Sequence, residues 1–295
     1  HNNSRIYKEI DIMFYSGISD ESGLDIFTQI KAHQELGWNH MELRNIDGVN
    51  LTQIDAEKFD AVYGAMTEAG MSVSCFSSAI ANWARPISGD FSIDENDLRQ
   101  AIPRMKRFGT RFIRVMSYPN DTDKPLNESD WRKESIKRMK HLVHIAEEGG
   151  VVLVHENCSG WGGLSSENSN ILLGEVDSDA LKVVFDTGNP VTYGQDAWEY
   201  YKDVQADIVY VHIKDARKVD GVDQYCMCGD GEGYVRKIVS DLIANGYDGG
   251  FSIEPHLAAV IHSGREAESA EALYKSYTDY GRRLVEIVEE EKAAL

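Results

Sequence analysis

Four residues combine reactive side chains with a shared kind of position. Glu156, Asp186, His212 and Glu254 each stand where an apolar run stops, in VVLVHE, LKVVFD, IVYVH and FSIE. A carboxylate or imidazole at the end of a buried strand is costly to desolvate unless something binds it. Placed on four successive parallel strands, the four groups would converge near one point. Such oxygen-rich ligation with one imidazole suits a divalent cation. Mn²⁺ is expected first, with Mg²⁺, Co²⁺ or Zn²⁺ as alternatives. The absence of a thiolate argues against a structural zinc site. Taken singly, each residue would be a strand-end polar group with local hydrogen bonds.

The elements that must position them alternate. β-like runs at 10–16, 38–44, 71–77, 110–117, 151–157, 181–189, 207–215 and 249–256 are each followed by a helical pattern. The helical patterns cover 24–37, 56–70, 94–109, 128–150, 166–176, 197–204, 235–246 and 268–292, with Pro103 predicting a kink or a late start in the third. Alternation of this kind requires parallel pairing through βαβ crossovers. Eight units in 295 residues predict an α/β fold, a single-domain (β/α)₈ TIM barrel over 1–295. The rival is an open doubly wound sheet, which would carry a G-x-G-x-x-G turn after its first strand. YSGISDESG matches that turn poorly. In a barrel the active site gathers at the carboxyl ends of the strands, which is where the four residues stand.

Composition narrows the function classes. With 42% hydrophobic and 27% charged residues the chain can bury a full core. A net charge of -19 opposes phosphate backbones and anionic lipid, so neither nucleic acid nor membrane is expected as a partner. Four cysteines are too few for a disulfide framework in a chain this long. No apolar stretch approaches the ~20 residues of a membrane helix. HNNSRIYKEIDIMF lacks the apolar core of a signal peptide, so a cytoplasmic protein is expected. His1, without an initiator Met, is read as a trimmed tag or a processed end.

Four stretches, VHENCSGWGG (154–163), VFDTGNP (184–190), VHIKDAR (211–217) and GDGEGY…GYDGGFSIEPH (229–256), resemble the sugar phosphate isomerase/epimerase family of the xylose isomerase-like barrels. The likeness runs over nearly the whole chain. It implies that Glu156, Asp186, His212 and Glu254 bind one divalent metal, and that Glu156 and Glu254 form the acid/base pair. The implied partner is a small-molecule carbohydrate, and homo-oligomer formation is left open. In the implied isomerase or epimerase chemistry the metal acidifies a C–H beside a carbonyl and stabilises the enediolate. One glutamate removes the proton and the other returns it on the opposite face. The same enolate expels a β substituent in a lyase or dehydratase acting on a keto-sugar, keto-inositol or 3-keto-glycoside, and the family includes such members. A nuclease branch of this fold resembles a three-zinc enzyme and needs further histidines on the early strands, which this chain does not offer; its acidity opposes DNA as well.

Candidate substrate contacts surround this set. Arg217 lies just past the seventh strand, where the family often has a cation that reaches substrate. Asn189 stands where the ketose 3-epimerases have a substrate-touching histidine. Lys214 shares the inward face of His212. It is read either as a substrate contact or as a salt-bridge partner of Asp215 or another barrel carboxylate. His256 follows Glu254 by two and faces the same way. Trp83 and Trp161, in loops after the third and fifth strands, are read as stacking platforms for a sugar or as loop packing. His155 alternates away from the barrel interior. Glu42 and Arg44 are expected first to pair with each other and otherwise to line the pocket, and Arg114 to pair locally or to line the pocket. Cys226-Met227-Cys228 is read as loop chemistry without function. The GDGEG run reads as a turn rather than a phosphate cradle, because it lacks a P-loop lysine.

Overall fold

A computed structural model describes residues 13–259 and 267–295. His1 and residues 10–12 of the first predicted strand lie outside the described residues. Eight strands form one parallel sheet: β1 (Phe14–Gly17), β2 (His40–Leu43), β3 (Ser72–Ser77), β4 (Phe112–Ser117), β5 (Val152–Gly160), β6 (Leu181–Asp186), β7 (Ile208–Ile213) and β8 (Gly250–Ile253). From β2 to β8 each strand pairs with the next, and β8 pairs back onto β1 with Phe14 opposite Gly250. A parallel bridge between Ile18 and Glu42 spans the remaining gap. The result is a nearly closed TIM barrel.

The covering helices are α1 (Ile26–Glu35), α2 (Ala56–Glu68), α3 (Ser92–Phe108), α4 (Glu128–Gly149), α5 (Ser166–Val176), α6 (Ala197–Val204), α7 (Val235–Ala244) and α8 (Ala270–Ala294). Their starts follow from local chemistry. Asp25, Asp55, Asn127, Ser165, Asp196 and Ser269 each accept a backbone N–H from the residue three positions on, a cap worth about 1 kcal/mol. Helix α3 runs from Ser92 through Pro103, so the late start expected there does not occur. Asp94 and Glu95 in its first turn already favour a helix N-terminus. Among the described residues no helix is long and apolar enough to cross a membrane.

Strand alternation sorts the side chains. Cys75, Val152, Val154, Val184 and Tyr210 form a cluster of their own within the barrel. Leu153, Val183, Phe185, Val211, Phe251 and Ile253 instead join the two larger clusters shared with the helices. One step beyond Val154, Val184 and Tyr210 on the same faces come Glu156, Asp186 and His212. The apolar interior therefore ends in a polar layer at the carboxyl end of the barrel.

Candidate active site

The polar layer brings the four strand-end residues together. Glu156, Asp186, His212 and Glu254 are all buried, and one ligand atom from each lies within 4.8 Å of all the others. Their remaining atoms are held by the protein. Gly188 and Asn189 donate backbone N–H groups to Asp186 Oδ1 at 2.8 and 2.7 Å. Asn157 clamps the Asp186 backbone, donating to its carbonyl at 2.9 Å and accepting its N–H at 2.7 Å. Asn189 Nδ2 donates to Glu156 Oε1 at 3.1 Å. Arg44 Nη1 and Lys214 Nζ donate to the two oxygens of Glu254 at 3.1 and 2.7 Å.

Three buried atoms, Glu156 Oε2, Asp186 Oδ2 and His212 Nδ1, have no hydrogen-bond partner among the described residues. Arg114 and Lys214 stand 3.3 and 2.9 Å from the first two as ion pairs that do not align as hydrogen bonds. Buried polar atoms are seldom left unpartnered. Two carboxylate oxygens and an imidazole nitrogen of this kind, beside Glu254, make a donor set that fits a divalent cation.

The electrostatics follow from this crowding. Burial pushes the Glu156 carboxyl up, but Arg114 and His212 bring it to about 2. Burial likewise opposes the charge on Glu254, yet Lys214, His256, His212 and Arg44 hold that carboxyl well below its ordinary value. Asp186 is raised to about 6, chiefly by burial, with Lys214 pulling the other way. His212 reaches about 10 because the Glu42 and Glu156 carboxylates outweigh its burial.

Other expected residues divide. Asn189, Lys214 and His256 line the cavity above the cluster, as do Trp83 and Arg114. Lys214 Nζ bridges Glu254 and Asp186. His256 is clamped by Glu21, which takes its backbone N–H at 2.9 Å and its Nδ1 at 2.8 Å. Two residues are not brought to the site. Arg217 is exposed on the hairpin formed by Ala216–Val219 and Val222–Tyr225, outside the residues that line the cavity. Trp161 is 1% exposed and donates its indole N–H to Glu128 at 2.5 Å, so loop packing is its role. Its burial beneath the chain gives a sugar no access to the ring.

Glu42 and Arg44 do not pair with each other. Glu42 accepts from His212 Nε2 at 3.1 Å, from Ser252 Oγ at 2.6 Å and from Ser77 Oγ. Arg44 binds Asp20, Glu21 and Glu254. Glu42 thus meets an imidazole and two serines, while Arg44, one residue past β2, meets carboxylates. Sequence reasoning missed Asp20, Glu21 and Asn157, and it missed Glu42 as the partner of His212. The available signal was the acidic pair Asp20-Glu21 just past β1, a strand-end position like the other four.

The glycine run also has a specific task. Asp215 accepts N–H groups from Gly229, Gly231 and Gly233 at 2.9 Å each and from Ala216 at 3.0 Å. The loop thus cradles an anion that belongs to the chain itself. A Cβ on Gly231 would lie 2.3 Å from Asp215 Oδ1, which is why glycine is needed there. Cys226 and Cys228 are free thiols buried beside this loop.

The chain belongs to the xylose isomerase-like TIM barrel family, whose sequence model matches residues 30–277. An inosose dehydratase of Clostridium perfringens is 28% identical over 144 residues, covering 44% of this chain and 48% of that protein. The chain thus spans about half the length of the curated relatives it matches. Among solved structures, a xylose isomerase-like TIM barrel protein from Mycobacterium smegmatis in complex with magnesium has a TM-score of 0.67 at 16% identity, over 94% of this chain and 98% of that one. D-psicose 3-epimerase with D-tagatose, from Clostridium cellulolyticum H10, has a TM-score of 0.69 at 14% identity, over 94% and 99%. At these identities the likenesses carry the fold.

Proposed function

We propose that the chain is a divalent-metal-dependent sugar isomerase or epimerase in which Glu156 and Glu254 transfer the proton. The convergence of Glu156, Asp186, His212 and Glu254, with three of their buried atoms unpartnered, carries this reading. A bound divalent ion, Mn²⁺ before Mg²⁺, Co²⁺ or Zn²⁺, would supply positive charge that acidifies the C–H beside a carbonyl and offsets the charge of the enediolate. Glu156 and Glu254 approach from β5 and β8 and address different sides of a substrate held between them. The proton count closes when one glutamate enters ionised and the other protonated, the roles exchanging with the direction of reaction. Cationic neighbours favour the ionised form of both glutamates, Arg114 at Glu156 and Lys214 at Glu254, so either begins as the base and the other takes up a solvent proton before it returns one to the substrate. Asn189, Lys214 and His256 are the side chains placed to meet substrate hydroxyls.

A second reading is a lyase that expels a β substituent from the same enolate. Two observations favour it: curated relatives are named inosose dehydratase, and the Glu21-clamped His256 stands 3.8 Å from Glu254 as a further side chain able to hydrogen-bond a departing hydroxyl. Incubation with Mn²⁺ and a panel of ketoses and keto-sugars in D₂O separates the two. Solvent deuterium in a new epimer is expected for the first, and loss of water or of an aglycone for the second. Glu254→Gln is expected to abolish exchange in either case while leaving the fold intact by circular dichroism. Full turnover in that variant would remove the two-glutamate mechanism.

A further inference from the structure

The cavity above the carboxylate cluster is about 650 Å³, within the ~300–1,000 Å³ that encloses ligands of drug size and more than one sugar ring fills. The cluster occupies the side built by β5 to β8. Across the barrel mouth, the loops after β2 and β3 build a wall of different chemistry: Asn45, Gln53, Asn82, Trp83 and Arg85. Each amide there is fixed at one end. Asn45 Nδ2 donates to Asp20 at 2.7 Å, Gln53 Nε2 to Asp97 at 3.2 Å, and Asn82 Oδ1 accepts from Ala84 N at 3.0 Å. What remains for a ligand is two amide oxygens and one amide NH₂, a set matched to hydroxyl groups. The indole of Trp83 is 43% exposed beside them.

Charge selects the ligand class. Arg85 is paired with Asp94 and Asp97, Arg44 with Asp20, Glu21 and Glu254, Arg114 with Glu156, and Lys214 with Asp186 and Glu254. Among the described residues, every arginine and lysine that lines the cavity therefore has a carboxylate partner. Among the described residues the wall offers hydrogen bonds and an aromatic face but no uncompensated positive charge for a phosphate.

We propose that this wall is a second sugar subsite, and that the substrate is a neutral two-ring glycoside whose ring at the carboxylate cluster carries a keto group, the other ring lying against Gln53, Asn82 and Trp83. The proposal rests on the metal-dependent sugar reading above and narrows its substrate.

Calorimetric titration of the Mn²⁺-loaded chain with maltose, cellobiose and trehalose, against glucose and glucose 6-phosphate, tests it. At least one disaccharide is expected to bind about tenfold or more tightly than either monosaccharide, the difference that one or two added hydrogen bonds or a stacked ring provide. Trp83→Ala and Gln53→Ala are expected to weaken that disaccharide more than glucose, narrowing the preference. The proposal is overturned if no disaccharide exceeds glucose, if glucose 6-phosphate binds best, or if the preference survives both substitutions. Deuterium exchange into a ketose is measured in parallel. Exchange without a disaccharide preference sinks the subsite alone, and a preference without exchange sinks the proton-transfer reading alone.

Discussion

Glu42 determines which nitrogen His212 can offer. Both of its oxygens lie 3.1 Å from Nε2, and Ser77 and Ser252 hold the carboxylate in place. With Nε2 bound to Glu42, Nδ1 is the nitrogen left facing Glu156 and Glu254, and it would offer its lone pair to a cation once its proton is displaced. Such a carboxylate behind a ligating histidine fixes its tautomer and raises its basicity, and its loss commonly costs 10–100-fold in metal affinity. Glu42→Gln is therefore expected to weaken Mn²⁺ binding by roughly that factor, read by titration of the metal-free protein; an unchanged affinity would contradict the role. The four candidate ligands were legible because a charged residue that closes an apolar run is visible in one dimension. Glu42 closes such a run too, yet its partner lies 170 positions away and Arg44 only two, so local pairing looked sufficient. Arg217, expected at the pocket from the family resemblance, lies outside it, and of the two readings of Trp161 the structure favours loop packing. Strand alternation gives direction only while the strand lasts, and both sit beyond a strand end, in a hairpin and a short helical turn.

At the scale of elements, the loop between β7 and α7 is organised by one buried carboxylate. Asp215 gathers four backbone N–H groups, three of them from alternate residues of the glycine run. Thr187 ties the preceding residue, with its Oγ1 donating to the Lys214 carbonyl at 2.6 Å. The Asp215 cradle is thus the footing for Lys214 and for Tyr225, both of which line the cavity. Asp215→Ala leaves those N–H groups without their acceptor, a loss on the order of 3 kcal/mol. The expected result is a lower melting temperature with faster amide exchange at Gly229, Gly231 and Gly233, while α1 to α4 keep their protection. Uniform loss of protection across the barrel would instead show that Asp215 supports the whole fold. The sequence marks this loop only as a glycine-rich turn, because the anion it wraps arrives from the end of the preceding strand and not from a ligand.

The whole molecule carries a pH dependence that starts where its first and last helices meet. The eightfold strand–helix beat made the barrel legible; what it could not show is how the closing helix docks on the first. There His33 of α1 is fully buried, with Nδ1 bonded to Gln29 O at 2.9 Å and Nε2 3.1 Å from the Tyr277 hydroxyl of α8. Burial pushes its pKa down from 6.5 to about 4. Unfolding exposes the ring and restores the ordinary value, so between pH 6.5 and 4 the unfolded chain binds more protons than the folded one. The contribution is fully present above pH 6.5 and is lost as pH falls through that window. The shift of 2.5 units (6.5 minus 4) bounds the loss at about 3 kcal/mol. His155 is also buried and lowered to about 4, which adds a loss of the same sign. Asp186, raised to about 6, opposes them over part of the range. Urea unfolding of the metal-free protein at pH 7 and pH 5 is expected to show lower stability at pH 5. In His33→Gln the stability at pH 7 drops because the Tyr277 contact is rebuilt around an amide, but the difference between the two pH values shrinks. A pH difference unchanged by that substitution would place the titration elsewhere and would leave the junction of α1 and α8 as packing alone.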